Sequence, residues 1–313
     1  MPSCARIRIA SFCLGLALGL CLAHRPVSAS GGFGGVGDLY VTSDASSIVR
    51  AYDGNTGNFL GNHATQVVAN GHLGLHFGDT NGLFLVGSWS GGVDEYDAVT
   101  GAFIKNYNNS GGWQWAGLYA PNGNVLISST ATNEVLEFDP VTAAFIQVFC
   151  PINFPSDMRI GPNGNLYVCS FGGGYVEEHD INTGALLSSF SLPPNAQAND
   201  IAWLPNGDIL VTAMRLNQVF HFDSGYTLLG SFAGTGWGNP HGIDIHPSTG
   251  QIYVVDGITT QVHIFDPVTF AELVVAHLSP DPGDKIVDLE FRRFDVPVSV
   301  TPSTWSRIKT LGR

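Results

Sequence analysis

The 313-residue chain carries 26 aspartates and glutamates but only 13 lysines and arginines, for a formal net charge of −13. Phosphate binding needs clustered Lys and Arg, so a chain this short of cations is excluded as a nucleic-acid ligand. The acidity itself has two readings, solubility or the binding of cations.

At the N-terminus, Arg6 and Arg8 precede an apolar run from Ile9 to Ala23, and Val27-Ser28-Ala29 supplies small residues for a signal peptidase. Residues 1–29 are therefore expected to be a cleaved signal, with a secreted or periplasmic mature chain. The run is shorter than the roughly 20 residues of a bilayer span, and no second run follows, so no transmembrane segment is expected in the mature protein. Leu18-Gly19-Leu20-Cys21 places a bulky leucine where a lipid-attachment motif needs a small residue. Cys4, Cys13 and Cys21 leave with the signal, and Cys150 and Cys169 remain. Whether these two pair is open: both end strands towards one face but at different radii, and Cα atoms more than about 7 Å apart cannot be bridged without backbone movement.

After a glycine-rich linker at 30–36 the chain repeats. Asp53, Asp97, Asp139, Asp180, Asp223 and Asp266 each follow a short apolar strand and open a turn, at intervals of 41 to 44 residues. That period, with strand signals throughout and no amphipathic helix, predicts an all-β, six-bladed β-propeller of four-stranded antiparallel blades over residues 37–294. Each unit is expected to begin with an inner strand (Gly74-Leu75, Gly117-Leu118, Asp157-Met158, Asp200-Ile201, Gly242-Ile243, Asp288-Leu289). Turns such as Pro162-Asn163-Gly164 then lead into a second strand such as Leu166-Tyr167-Val168-Cys169, apolar on both faces. A third strand ends in the marker aspartate, whose carboxylate is expected to accept N–H groups of its own turn; a calcium loop would be longer. No inner strand precedes Leu39, yet one more pattern occurs from Lys285 to Phe291. This last strand is expected to join the first three and latch the ring.

The units GNLYVCSFGGGYVEEHDINTGALLSSF from Gly164 and GQIYVVDGITTQVHIFDPVTFAEL from Gly250 resemble repeats of the NHL and YVTN class over nearly the whole mature chain. Six blades fit the NHL-like and lactonase-like propellers better than the seven usual in YVTN proteins. The resemblance implies architecture more than activity, because the same ring carries scaffolds, lyases, lactonases and carbohydrate binders.

Inner-strand starts and the loops between second and third strands open on one face. Trp89, Trp113, Trp115, Phe171 and Trp237 fall there beside glycines that would leave the rings accessible, and with Arg215 they form the expected ligand-binding set; Phe154 has a similar place. Asp157, Asp200 and Asp288 share one column, with Asn199 one place before Asp200. Lactonase-like propellers gather such oxygens on an axial divalent cation, which implies Ca2+ or Mg2+ here, although Gly74 and Gly117 stand where that family has a glutamate. Asn239-Pro240-His241-Gly242 is similar to the strand-opening histidine of propeller lyases, which makes His241 the one catalytic candidate. The rest of its column reads Leu73, Ala116, Ser156, Asn199 and Val287, without the further histidines of a zinc site.

The tail, residues 295–313, leaves the repeat pattern; Ser303 to Arg313 reads as a short helix or sorting signal, the alternative being a frayed terminus. The expected function is a secreted, monomeric, non-catalytic binding propeller for a glycan, peptide or cell-surface protein. The alternative is a metal-assisted lyase or lactonase.

Overall fold

Apolar runs with side chains on both faces give strands that are buried throughout. Every residue of β1 (Leu39–Ser43) and β2 (Val49–Tyr52) is buried, while β3 (Phe59–Ala64) is exposed over most of its length. The computed structural model describes residues 35–65, 70–78, 81–109, 112–277 and 284–293. The expected signal segment and C-terminal tail lie outside these residues. The same inner-to-outer sequence recurs in β4 (Asn70–Phe77), β5 (Leu83–Ser90), β6 (Val93–Asp97) and β7 (Phe103–Tyr107), and again in β8 (Gln114–Tyr119), β9 (Val125–Ser129), β10 (Glu134–Phe138) and β11 (Phe145–Pro151). Next come β12 (Pro155–Ile160), β13 (Leu166–Ser170), β14 (Tyr175–His179) and β15 (Leu186–Ser191), followed by β16 (Ala198–Trp203), β17 (Ile209–Ala213), β18 (Gln218–Phe222) and β19 (Leu228–Phe232). The last are β20 (Pro240–Ile245), β21 (Ile252–Asp256), β22 (Gln261–Phe265), β23 (Glu272–His277) and β24 (Ile286–Phe291). Among the described residues the only helix is the single 3-10 turn Met214–Leu216.

The arrangement is all-β and propeller-like, built from antiparallel four-stranded units. It differs from six separate blades in one respect. Four sheets are four-stranded, but β4 to β11 join into a single eight-stranded sheet. The cause is one bridge, Ser88 to Gln114, made because β5 runs on to eight residues and reaches the start of β8. The first sheet runs in the order β24-β1-β2-β3, with Leu39 opposite Phe291. The six innermost strands touch in series, β24 to β4, β8, β12, β16 and β20, and β20 in turn touches β24.

The turns form for the expected reason. Asp139 Oδ1 accepts the N–H groups of Val141 and Thr142 and the Thr142 hydroxyl, at 2.7–2.9 Å, and Asp53, Asp97, Asp180 and Asp266 repeat the pattern. The Thr142 N–H, foremost among these donors, holds the Asp139 carboxyl below its ordinary range.

One register expectation is corrected. Each inner strand carries a bulge, which in β20 falls between Pro240 and Ile243 and in β8 between Gln114 and Gly117. Gly117 therefore corresponds to Ile243, not to Gly242. Trp115, rather than Ala116, stands in the column of His241. Cys150 and Cys169 are both buried free thiols, so the open question of their pairing resolves as unbridged. They lie in two different apolar clusters.

Candidate functional site

The bulges turn two consecutive residues of each inner strand towards the space between the strands, which produces two layers. In the first, Leu73, Trp115 and Val287 pack together, with Trp89 and Phe171 against them. Trp115 stacks on His241, centroids 6.2 Å apart and planes at 18°. The second layer runs Asp288, Gly74, Ala116, Asp157, Asp200 and Gly242 in the order in which the inner strands touch. The three aspartates offer carboxylate oxygens within 4.8 Å of one another. The small residues are a steric requirement: a Cβ on Gly74 would come within 2.8 Å of Asp157 Oδ2, and one on Gly242 would collide with Asp288 Oδ1.

Each carboxylate is already engaged. Asp200 receives the Arg159 fork, Nε to Oδ1 and Nη2 to Oδ2, both at 3.1 Å, together with the N–H groups of Ile201 and Ile243. Asp288 accepts Leu289 N–H on one oxygen and Leu75 N–H on the other. Asp157 Oδ1 accepts Met158 N–H and lies 2.6 Å from His76 Nε2. Ile243 and Leu75 belong to neighbouring inner strands, so these aspartates tie strand to strand. Burial and the nearby Asp157 and Asp200 carboxylates push Asp288 well above the ordinary carboxylate range. Burial raises Asp200 to about 6, against the pull of Arg159.

Two residues further along, the same strand faces bring in His76, Arg159, Asp244 and Glu290. Sequence reading gave none of the four a site role, and set His76 aside as out of register with the histidine column. Period-two counting from the aspartate column would have found them. Asp244 binds Arg293 Nη2 at 2.5 Å and Phe291 N–H at 2.8 Å, and lies 3.7 Å from Arg159 Nη1. Burial opposes charge on His76, yet Asp157 and Glu290 hold its pKa well above the ordinary histidine value. At this end a cavity of about 890 Å³ opens, with Tyr119, Trp203, Met158, Glu290 and Arg293 in its lining.

The aromatic residues lie at the other ends of the same strands. Trp113 is 39 % exposed. It meets Trp89 edge-on at 4.5 Å and Phe154 at 6.0 Å; Phe154 stacks on Phe171 at 5.8 Å, and Phe171 reaches Trp115 at 5.7 Å. Trp89, Phe154 and Phe171 are half-buried. Two rings expected at the surface are not there. Trp115 is 2 % exposed because the bulge points it inwards, and Trp237 is 7 % exposed, packed on His263 and Phe265 with its indole N–H on Asn217 C=O. Arg215 is exposed, in the 3-10 turn. His241 and Asn199 are buried, and neither His241 Nδ1 nor Asn199 Oδ1 has a hydrogen-bond partner among the described residues. Burial, helped by Lys285, lowers His241 to about 4, so it is a neutral ring at pH 7.

No protein-family model and no curated protein matches this sequence. Solved structures do resemble it. A streptogramin B lyase superposes with a TM-score of 0.60 at 12 % identity, covering 78 % of this chain and 80 % of its own. A chain of a nidogen–laminin complex gives 0.65 at 11 % identity, covering 80 % and 97 %. A protein of unknown function from Bacteroides caccae gives 0.60 at 16 % identity, covering 80 % and 97 %. At these identities the likeness defines a β-propeller fold and nothing finer. No helix among the described residues is long and apolar enough to cross a membrane.

Proposed function

We propose that this protein is a secreted, non-catalytic binding propeller that holds a glycan, a peptide or a surface protein on its aromatic face. The observation that carries the reading is the unbroken contact series Trp89, Trp113, Phe154 and Phe171, three of them half-buried and one well exposed, at a single end of the inner strands. Rings held this way present apolar area at little entropic cost, the usual anchor of a recognition surface. The ring is read as six blades, counting the eight-stranded sheet as two joined by one bridge; the serial contacts of the inner strands and the β24–β1 pairing support this. Export rests on the N-terminal residues 1–29.

The second reading is a lyase or lactonase using a divalent cation on Asp157, Asp200 and Asp288. It has the 4.8 Å cluster and the unpartnered Asn199 Oδ1 in its favour. The donor set fits poorly, because Asp200 is saturated by a guanidinium and two N–H groups, and Asp288 holds its proton well above the usual range. The lyase among the similar folds speaks for this reading, the laminin complex for the first.

The deciding test screens the mature protein on glycan and peptide arrays, beside a Trp89→Ala/Trp113→Ala variant, with metal analysis of the same batch. Capture by the wild type alone and no stoichiometric metal supports binding. A tightly held cation, with no capture, favours the enzyme.

A further inference from the structure

The large cavity lies at the opposite ends of the inner strands from the aromatic face. Its volume of about 890 Å³ falls within the range of small-molecule sites. Its lining includes the aromatic side chains Trp203 and Tyr119 and the charged Arg159, Asp244, Glu290 and Arg293.

The floor has polar valences to spare on both sides. Among the described residues Arg159 Nη1 makes only its 3.7 Å contact with Asp244, and Arg293 Nη1 has Phe291 C=O at 3.4 Å and Glu290 Oε1 at 3.9 Å. Glu290 Oε2 takes Phe77 N–H at 3.1 Å and lies 3.5 Å from His76 Nδ1, which leaves Oε1 with nothing closer than Arg293 among those residues. Donors and an acceptor are thus open side by side. Arg293 is 34 % exposed at its side chain, against 10 % for Arg159 and 12 % for Glu290.

The charges leave little room for another. Arg159, Arg293 and His76 face Asp157, Asp200, Asp244 and Glu290. A carboxylate ligand would add an anion to a floor where carboxylates already outnumber cations, and in a desolvated floor an uncompensated charge is costly; an ammonium, which only donates, would leave the open N–H groups of Arg159 and Arg293 without an acceptor. A hydroxyl meets both needs, because it donates and accepts without adding charge. The C–H face of a pyranose ring is apolar and suits an aromatic lining side chain such as Trp203.

We propose that this cavity is a second binding site, separate from the aromatic face, for a neutral mono- or disaccharide. Its polar floor of Arg159, Arg293 and Glu290 binds hydroxyls, and Trp203 packs on the sugar ring.

The test is isothermal titration of the mature protein with glucose, galactose, maltose and cellobiose, each compared with glucuronate and glucosamine. At least one neutral sugar is expected to bind more tightly than both charged analogues. Glu290→Gln, which keeps size and removes the charge, and Trp203→Ala are each expected to weaken it tenfold or more. Trp113→Ala, on the other face, should leave it unchanged, so failure here is distinguishable from failure of the aromatic-face reading. Trp203 also packs on Tyr167, so Glu290→Gln carries the test should Trp203→Ala fail to fold. No neutral sugar bound, tighter binding of glucuronate or glucosamine, or unchanged affinity in Glu290→Gln overturns the proposal.

Discussion

Trp115 of β8 and His241 of β20 stack with their rings 6.2 Å apart and 18° from parallel, though their strands are not neighbours. The contact fills the space between the inner strands directly beneath the aromatic face. Trp115→Ala is therefore expected to cost stability, about 3–5 kcal/mol for loss of a fully buried indole. Chemical denaturation measures it. A loss under about 1 kcal/mol would show that the ring is not packed as described.

Arg159 supplies the next prediction. Its fork onto Asp200 and its approach to Asp244 neutralise two buried carboxylates. Arg159→Met strands Asp200, while Asp244 keeps Arg293, and breaking a buried pair on one side typically costs about 3–5 kcal/mol. The double variant Arg159→Met/Asp200→Asn should recover part of that loss in urea unfolding. No recovery would mean the two groups are not coupled.

The pH dependence follows from the same groups. His76 is raised from 6.5, so the stability it contributes is complete below about 6.5 and is lost as pH rises through its folded value. Asp288, raised from 3.8, binds its proton more tightly in the folded chain, so its contribution also falls with rising pH. Asp244 is held below 3.8 chiefly by Arg293, against the effect of burial; it contributes stability that disappears as pH drops below that range. Melting temperature should thus fall as pH rises above 6.5 through the His76 contribution, and Asp288→Asn, which cannot ionise, should flatten the part of the decline that starts above about 3.8. A wild-type profile that rises over this window contradicts the assignment.

The latch is tested by truncation. Ending the chain before Lys285 removes β24, the partner of β1, and exposes the inner edge of the first sheet. A clear drop in melting temperature is expected, since β1 loses its partner strand and β20 and β4 lose the contacts that β24 makes with them. Melting like the intact chain would remove the closure reading.

The repeat was legible because it is local. Asp139-Pro140-Val141-Thr142 makes its own turn, and Leu166 to Cys169 is apolar whichever way it faces, so strands and turns follow from nearest neighbours. The interior was less so. A bulge shifts register by one residue without any mark in the sequence, and that shift put Trp115, not Ala116, beside His241. The aspartate column was visible by repetition, whereas its partners His76 and Arg159 come from other blades and differ from unit to unit. Exposure of an aromatic ring likewise depends on distant packing: Trp113 and Trp237 both precede inner strands, yet one faces solvent and the other sits on Phe265.

The central claim, recognition through the aromatic face, is tested most directly by one comparison on glycan and peptide arrays. Wild type and Trp113→Ala are applied at equal concentration after matching melting temperatures. Trp113 is 39 % exposed, so its removal should leave the fold within about 1 kcal/mol while abolishing the probes that wild type retains. Identical capture by the two proteins, or no probe retained by wild type, would contradict it.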